Sequence, residues 1–210
     1  MKRVSILLSV FFLLFSVDAF GRESKPGPYG SLSIGEAFLS DADTVNSSVL
    51  FGVGSLVSDN NPGLCFSGAA GYDFGSLFKF GALRMEAEIN YQNNNTEFLS
   101  GTITGDMSSV SVLINEYLYA DEKFRPFIPF IMIGAGFAKV ETDLRSAALN
   151  FKADDTVVAY QFGAGIGYRF NDTYMYYLKY NYFATKNPVF DTFAVEYESN
   201  NIIFGLMFKF

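Results

Sequence analysis

Histidine is absent from all 210 residues. That removes the usual general base of a serine or cysteine triad, the His-Asp protease pair and most zinc sites. A Ser-Lys or carboxylate-only site is the catalytic option left, and no residue-level feature supports one. Cys65 is the one cysteine; it lies far from the start of the chain, which argues against an N-terminal lipid anchor and leaves no intrachain disulfide. Positive charge is scarce, 15 Lys and Arg against 22 Asp and Glu, for a formal charge of −7. That is a poor balance for a nucleic-acid partner. Beyond the N-terminus there is no apolar run long enough for a transmembrane helix. The best candidate, Phe127–Ala138, is too short and carries Pro129, Gly134 and Gly136.

What is present is apolar and aromatic: 50% and 18% of residues, although tryptophan is missing. The first residues read as a secretory signal, with Lys2 and Arg3 ahead of the apolar stretch Val4–Val17. Val17 and Ala19 sit at the small-residue positions before a cut, so residues 1–19 are read as a signal peptide cleaved after Ala19. The stretch is short for the rival reading, an uncleaved anchor. Loss of Lys2, Arg3 and Asp18 takes the mature chain, residues 20–210, from −7 to −8. A secreted, greasy chain without helical spans leaves a closed barrel as the membrane solution.

Periodicity agrees. At the C-terminus Ile202, Phe204, Leu206, Phe208 and Phe210 alternate with Asn201, Ile203, Gly205, Met207 and Lys209, and a period of two means a strand. About eight strands are expected. The first runs near Tyr29–Phe38, with Leu32 and Ile34 outward. A polar stretch from Asp41 to Asn61 follows, containing an apolar patch, Val49–Val57, for which two placements stay open: an extension of a neighbouring strand above the membrane, or packing inside the loop. The second strand, Leu64–Phe74, turns at Gly75–Ser76 into Ala82–Tyr91, where Leu83, Met85, Ala87, Ile89 and Tyr91 oppose Arg84, Glu86, Glu88 and Asn90. The polar row must line the lumen, because a charge facing lipid near the midplane costs about 2–4 kcal/mol. A polar loop is expected over Gln92–Asp106.

Val110–Tyr119 is the fourth strand; Glu116 shares the outward face of Val112 and Ile114 and is expected at the rim. After a turn at Asp121–Pro126, Phe127–Val140 puts Ile131, Ile133, Ala135 and Phe137 outward. Glu141–Asp155 reads as a charged loop. Val157–Phe170 faces Gln161, Gly163, Gly165, Gly167 and Arg169 inward, and Asn171–Asp172 reads as a two-residue hairpin turn. Thr173–Phe183 carries Tyr174, Tyr176, Leu178, Tyr180 and Tyr182 on one side, with Tyr177, Lys179 and Asn181 on the other. Its tyrosines match aromatic girdles at the two water–lipid boundaries. A loop, Ala184–Glu196, precedes the last strand. The glycine run Gly163–Gly167 lacks the strand–turn–helix context of a dinucleotide site. The Asn-X-Ser/Thr matches at Asn46, Asn94 and Asn171 read as turn chemistry, and the loop aspartates as a solvated surface.

The expected fold is therefore all-β: an eight-stranded, antiparallel, transmembrane up-and-down barrel. Arg84, Glu86, Glu88, Asn90, Gln161, Arg169 and Lys179 form its lumen polar network. A lumen this narrow can be filled by side chains, and its charges must pair or stay wet. An internal plug is favoured over a selective channel wall. The inverted alternative, a soluble lipid-binding barrel with aromatics inside, fits the signal peptide and Phe210 poorly.

Several segments carry a resemblance: FSGAAGYDFG (Phe66–Gly75), LRMEAEINY (Leu83–Tyr91), NEYLY (Asn115–Tyr119), PFIMIGAGFA (Pro129–Ala138), YQFGAGIGYRF (Tyr160–Phe170), KYNYF (Lys179–Phe183) and the terminal FGLMFKF. In order and spacing they resemble the outer-membrane protein A-like and opacity-type barrels, especially the major surface antigens of Rickettsiales (the Msp4, P28 and Wolbachia surface protein group). The resemblance implies a bacterial outer-membrane location, short periplasmic turns and four long loops at the cell surface. It implies that Phe204, Leu206, Phe208 and Phe210 form the signature read by the barrel-insertion machinery, and that the protein is a non-enzymatic antigen or adhesin meeting a host molecule through its loops. A small diffusion porin is the alternative. No cofactor or metal is implied; the partners are outer-membrane lipid and the insertion machinery.

Overall fold

The computed structural model describes residues 26–40, 59–60, 62–78, 81–98, 103–120, 124–145, 150–190, 193–194 and 197–210. The expected signal peptide and the Val49–Val57 patch lie outside them. Eight long strands make the wall: β1 (Gly27–Leu39), β3 (Gly63–Phe78), β4 (Gly81–Phe98), β5 (Ile103–Ala120), β6 (Phe127–Arg145), β7 (Asn150–Arg169), β8 (Tyr174–Thr185) and β11 (Glu198–Lys209). Three two-residue strands lie between them: β2 (Asp59–Asn60), paired on β4, and β9 (Val189–Phe190) against β10 (Phe193–Ala194).

Each long strand pairs antiparallel with its neighbours, and β1 closes against β11. Partner to partner, the ladder runs Tyr29, Gly71, Glu86, Asn115, Gly134, Gln161, Phe183, Ser199 and back to β1 at Leu39. One circuit thus climbs from Tyr29 to Leu39, ten residues along β1. Such a stagger on eight strands tilts them by about 40°.

Exposure alternates along the described parts of the eight long strands. Leu32, Ile89, Ile133, Phe137, Phe162, Leu178 and Phe204 are each at least half exposed, and all face outward. In water each such side chain would forgo about 1.5–3 kcal/mol of burial; hydrocarbon removes that cost. Inward-facing residues instead fill the lumen. Gly205 shows the fit: a Cβ there would enter the Tyr177 ring, so the tyrosine crosses the lumen because its neighbour has no side chain.

Several expectations are corrected. Gly75 is not the turn after the second strand. It is a bulge inside β3, at φ 73°, and its N–H donates to Asp73 Oδ1 at 2.8 Å; glycine alone takes that conformation without strain. The expected loops Gln92–Asp106 and Glu141–Asp155 are mostly ladder. β4 and β5 pair out to Phe98–Ile103, and β6 and β7 to Arg145–Asn150. Their polar side chains hid this, since backbone pairing makes a strand and alternation only reveals one buried face. The turn at Asn171–Asp172 is wider than two residues: Asn171 Oδ1 accepts the N–H groups of Thr173 and Tyr174, and β8 starts at Tyr174. The expected loop Ala184–Glu196 is partly strand: β8 takes its first residues and the β9–β10 pair sits within it.

Glu116 is also misplaced by the sequence. It points outward as expected, but its ladder partners are Met85 and Ile133. On β6, Ile133 stands midway between Phe127, where the strand begins, and Lys139, the first outward charge. Glu116 therefore sits near mid-height of the apolar band, not at its rim.

Candidate functional site

The lumen is the site, and its chemistry comes in layers. β3 and β4 supply the lowest layer, on the side of both termini. Asp73 and Arg84 are direct ladder partners. Arg84 Nε donates to Asp73 Oδ2 at 2.9 Å, and Lys209 Nζ approaches the same oxygen at 2.7 Å. The guanidinium also lies 3.9 Å from the Tyr119 ring centroid, with Met207 Sδ at 3.3 Å from Nη1. A carboxylate thus meets two cations, and the planar face of Arg84 stacks on an aromatic. Around it pack Tyr119, Phe130, Ile128 and Met175.

The next layer centres on Glu86 and Glu88. Tyr29 and Tyr117 donate to the two Glu86 oxygens at 3.1 and 2.9 Å. Asn115 Nδ2 reaches Glu86 at 3.2 Å and Glu88 at 2.7 Å. Lys179 Nζ is 3.8 Å from Glu88 and donates to Tyr117 Oη at 3.3 Å. From here a chain of amides crosses the wall: Gln161 donates to Asn115 Oδ1 at 2.7 Å, and Asn181 donates to Gln161 Oε1 at 2.8 Å.

The third layer is neutral. Gln92 Nε2 donates to Ser199 Oγ at 3.1 Å across the lumen. Two residues lower on the same strands, Asn90 and Asn201 are both buried on the inward row, and Asn181 is the ladder partner of Asn201. Here the matching is incomplete. Glu88 Oε1, Asn90 Oδ1, Asn181 Oδ1 and both amide atoms of Asn201 are buried without a protein partner. Leu113, Ala138, Val140, Ala159, Phe183 and Tyr197 form an apolar cluster that begins beside Glu88 and continues past these amides.

The seven residues picked from sequence for the lumen are all buried, and all face inward. They are not one cluster. Glu88 and Lys179 meet directly; Glu86 and Gln161 join them through Asn115. Arg84 stands in the lower layer, Asn90 in the upper, and Arg169 near the end of β7. Sequence reasoning missed Asp73, Lys209, Tyr29, Tyr117 and Asn115 as members of the network. Parity was the available signal: each shares its strand's inward row. Their partners come from elsewhere in the chain, and parity does not name them.

On the outside, Phe204 and Phe210 are exposed, and the Phe208 ring covers Gly30, where a Cβ would lie 2.6 Å from Cζ. Leu206 is half-buried. On β8, Tyr174, Tyr176 and Tyr180 are exposed and Tyr182 half-buried, with Tyr174 and Tyr182 at opposite ends of the row. Tyr180 donates to Asn200 Oδ1.

No curated protein matches the chain in sequence. Among solved structures it is similar to Neisserial surface protein A, with TM-score 0.59 and 16% identity over 89% of this chain and 99% of the other. It also matches Ail, the attachment invasion locus protein of Yersinia pestis (TM-score 0.44, 16% identity, 88% and 99% covered), and OprG of Pseudomonas aeruginosa (0.47, 10%, 93% and 99%). The profile of the outer membrane protein beta-barrel domain matches residues 7–210. With a closed eight-stranded wall, an apolar outer face and this match, the chain belongs to the outer membrane protein beta-barrel domain family.

Proposed function

We propose that the protein is a non-enzymatic surface barrel. Its lumen is a plug, and its work is done by the end opposite the termini, which faces the cell exterior and meets a host or environmental molecule. The observation that carries this is the stopper of Asp73, Arg84, Lys209, Glu86, Glu88 and Lys179, each charge held by a partner on another strand. A bilayer-spanning strand needs about 9–11 residues, and β4–β7 run to 18–20. Their surplus is a polar double-sided ladder beyond the apolar band, with Lys139 pairing to Glu141 and Asp154 at 2.8 and 3.3 Å. Polar ladders held by a rigid wall suit contact with a partner. The likeness of several segments to Rickettsiales surface antigens supports the same reading. So do the tyrosines at both ends of the β8 row, as girdle residues, and the terminal Phe204–Phe210 row, as an insertion signature.

Planar-bilayer conductance of refolded Phe20–Phe210, with folding verified by heat-dependent gel mobility, tests the plug. Silence is expected, with clipping between Asp143 and Lys152 by protease on intact cells. Stable discrete steps would overturn it in favour of a second reading, a small diffusion porin. The partnerless oxygens of Glu88, Asn90, Asn181 and Asn201 favour that reading, since water would satisfy them. In a porin, neutralising Glu86 and Glu88 changes ion selectivity.

A further inference from the structure

The long hairpins beyond the apolar band leave one strand edge open. β7 pairs with β6 along its whole upper length, out to Asn150 opposite Arg145. On its other side β8 stops short. The last ladder pair is Ala159–Thr185, and the Lys186 N–H adds one bond to the Val158 carbonyl. Pro188, two residues further on, has no N–H with which to continue. β9 lies beside β7, but its ladder is with β10. Because the Val158 carbonyl faces the β8 side, the main-chain groups of Thr156, Asp154 and Lys152 face it too. The Thr156 N–H is met by the Asp155 carboxylate at 2.7 Å. Asp154 and Lys152 have no ladder partner on this side among the described residues. The other margin of these hairpins is closed: β4 pairs with β3 as far as Asn93 and with β2 at Thr96 and Glu97.

An open edge is a template for a further strand. This one stands in water, since the outward row of β7 turns polar beyond Val158, with Thr156, Asp154 and Lys152 exposed. The ladder lines that reach it run Ser108–Glu141–Asp154 and Asp106–Asp143–Lys152, four carboxylates against one lysine. Lys139, one line lower, is already shared by Glu141 and Asp154. On the opposite face Ala153 and Val157 pack on the apolar cluster of Leu113 and Tyr197. A second copy in the same membrane is the wrong occupant. A two-fold axis along the membrane normal sends β7 of both copies towards the bilayer, each tilted by about 40° in opposite senses, so the two edges cross instead of running side by side.

We propose that the Asn150–Thr156 edge of β7 takes up an extended, basic segment of another protein by strand addition. The proposal rests on the reading of this end of the barrel as the one outside the cell. The main chain of the added segment bonds the N–H and C=O groups of Lys152 and Asp154. Its outward side chains are Lys or Arg, set beside the carboxylates of β5–β7; its inward ones are small and apolar, continuing the row of Ala153 and Val157.

The test is amide hydrogen exchange of the refolded barrel in micelles, read residue by residue by NMR, with an alternating Lys-Val peptide as the probe. In the free barrel the Lys152 and Asp154 amides are expected to exchange at least ten-fold faster than that of Ala153, whose N–H points into the β6 ladder. Saturating peptide is expected to slow both at least ten-fold, and an alternating Glu-Val peptide to leave them unchanged. Lys152→Pro removes an edge donor and sets a ring in the edge, at a position where the N–H faces no ladder and proline is tolerated. It also removes a positive charge, so charge attraction alone would tighten a basic peptide. Binding weakened at least ten-fold, in a barrel shown to be folded by heat-dependent gel mobility, is therefore the mark of strand addition. Equal or tighter binding by folded Lys152→Pro overturns the proposal. Unchanged exchange of Lys152 and Asp154 at saturating peptide does so without any variant. Protection of both amides in the free barrel does the same, because the β9–β10 hairpin or a second copy then covers the edge. Discrete conductance steps would overturn the plugged barrel and leave the exchange result standing, so the two failures are distinguishable.

Discussion

The two ends of the polar lumen obey different rules. In the lower layers every carboxylate meets a cation or several donors: Asp73 holds both Arg84 and Lys209, and Glu86 takes Tyr29, Tyr117 and Asn115. In the upper layer the polar groups are neutral amides, and Asn90, Asn181 and Asn201 keep atoms without protein partners. Both ends sit in the same closed wall. Charge shifts the balance, although Glu88 Oε1 in the charged layer is also buried without a protein partner among the described residues. An unpaired buried ion is intolerable, so register and side-chain length converge on a match; an unpaired amide costs less and water can meet it. Rigidity in this barrel therefore belongs to the charged layers.

The comparison can be broken most sharply at Arg84. Arg84→Met leaves the buried Asp73 with half its cations, and removing one partner of a buried pair costs about 3–5 kcal/mol. Urea unfolding in micelles should show that loss. Glu86→Gln sharpens the middle case. It keeps the shape but weakens the bonds from Tyr29, Tyr117 and Asn115, and the expected cost is about 1.5–3 kcal/mol, the worth of a hydrogen bond to a charged group. Asn201→Leu tests the upper layer and should have the smallest effect. Neither amide atom of Asn201 has a protein partner, so an apolar replacement of similar size is neutral or stabilises by up to about 1 kcal/mol. If Asn201→Leu costs as much as Arg84→Met, the distinction between the layers fails.

Much of this was legible in the sequence. The alternation of Leu83–Tyr91 assigned Arg84, Glu86, Glu88 and Asn90 to the lumen, and Tyr160–Phe170 did the same for Gln161 and Arg169. Both readings use only the two-residue period of a strand, a local property. The distal hairpins were not legible for the complementary reason. Gln92–Phe98 and Glu141–Arg145 lie beyond the apolar band, where neither face must be greasy, so the alternation fades while the backbone pairing continues.

What the sequence by itself determined is which face of the wall each residue takes, because a strand's faces follow from counting by twos and lipid demands that one of them be apolar. What only the tertiary structure decided is who meets whom. Arg84 sits two residues from Glu86 on β4, yet it pairs with Asp73 of β3, the carboxylate that Lys209, near the far end of the chain, also meets. Glu116 reads like a rim residue beside the turn after Tyr119, yet it stands beside Ile133 at mid-height. Both follow from the ten-residue stagger that carries Tyr29 to Leu39 in one circuit. Depth and partnership in a closed barrel are set by the sum of all its registers, and no single strand contains that sum.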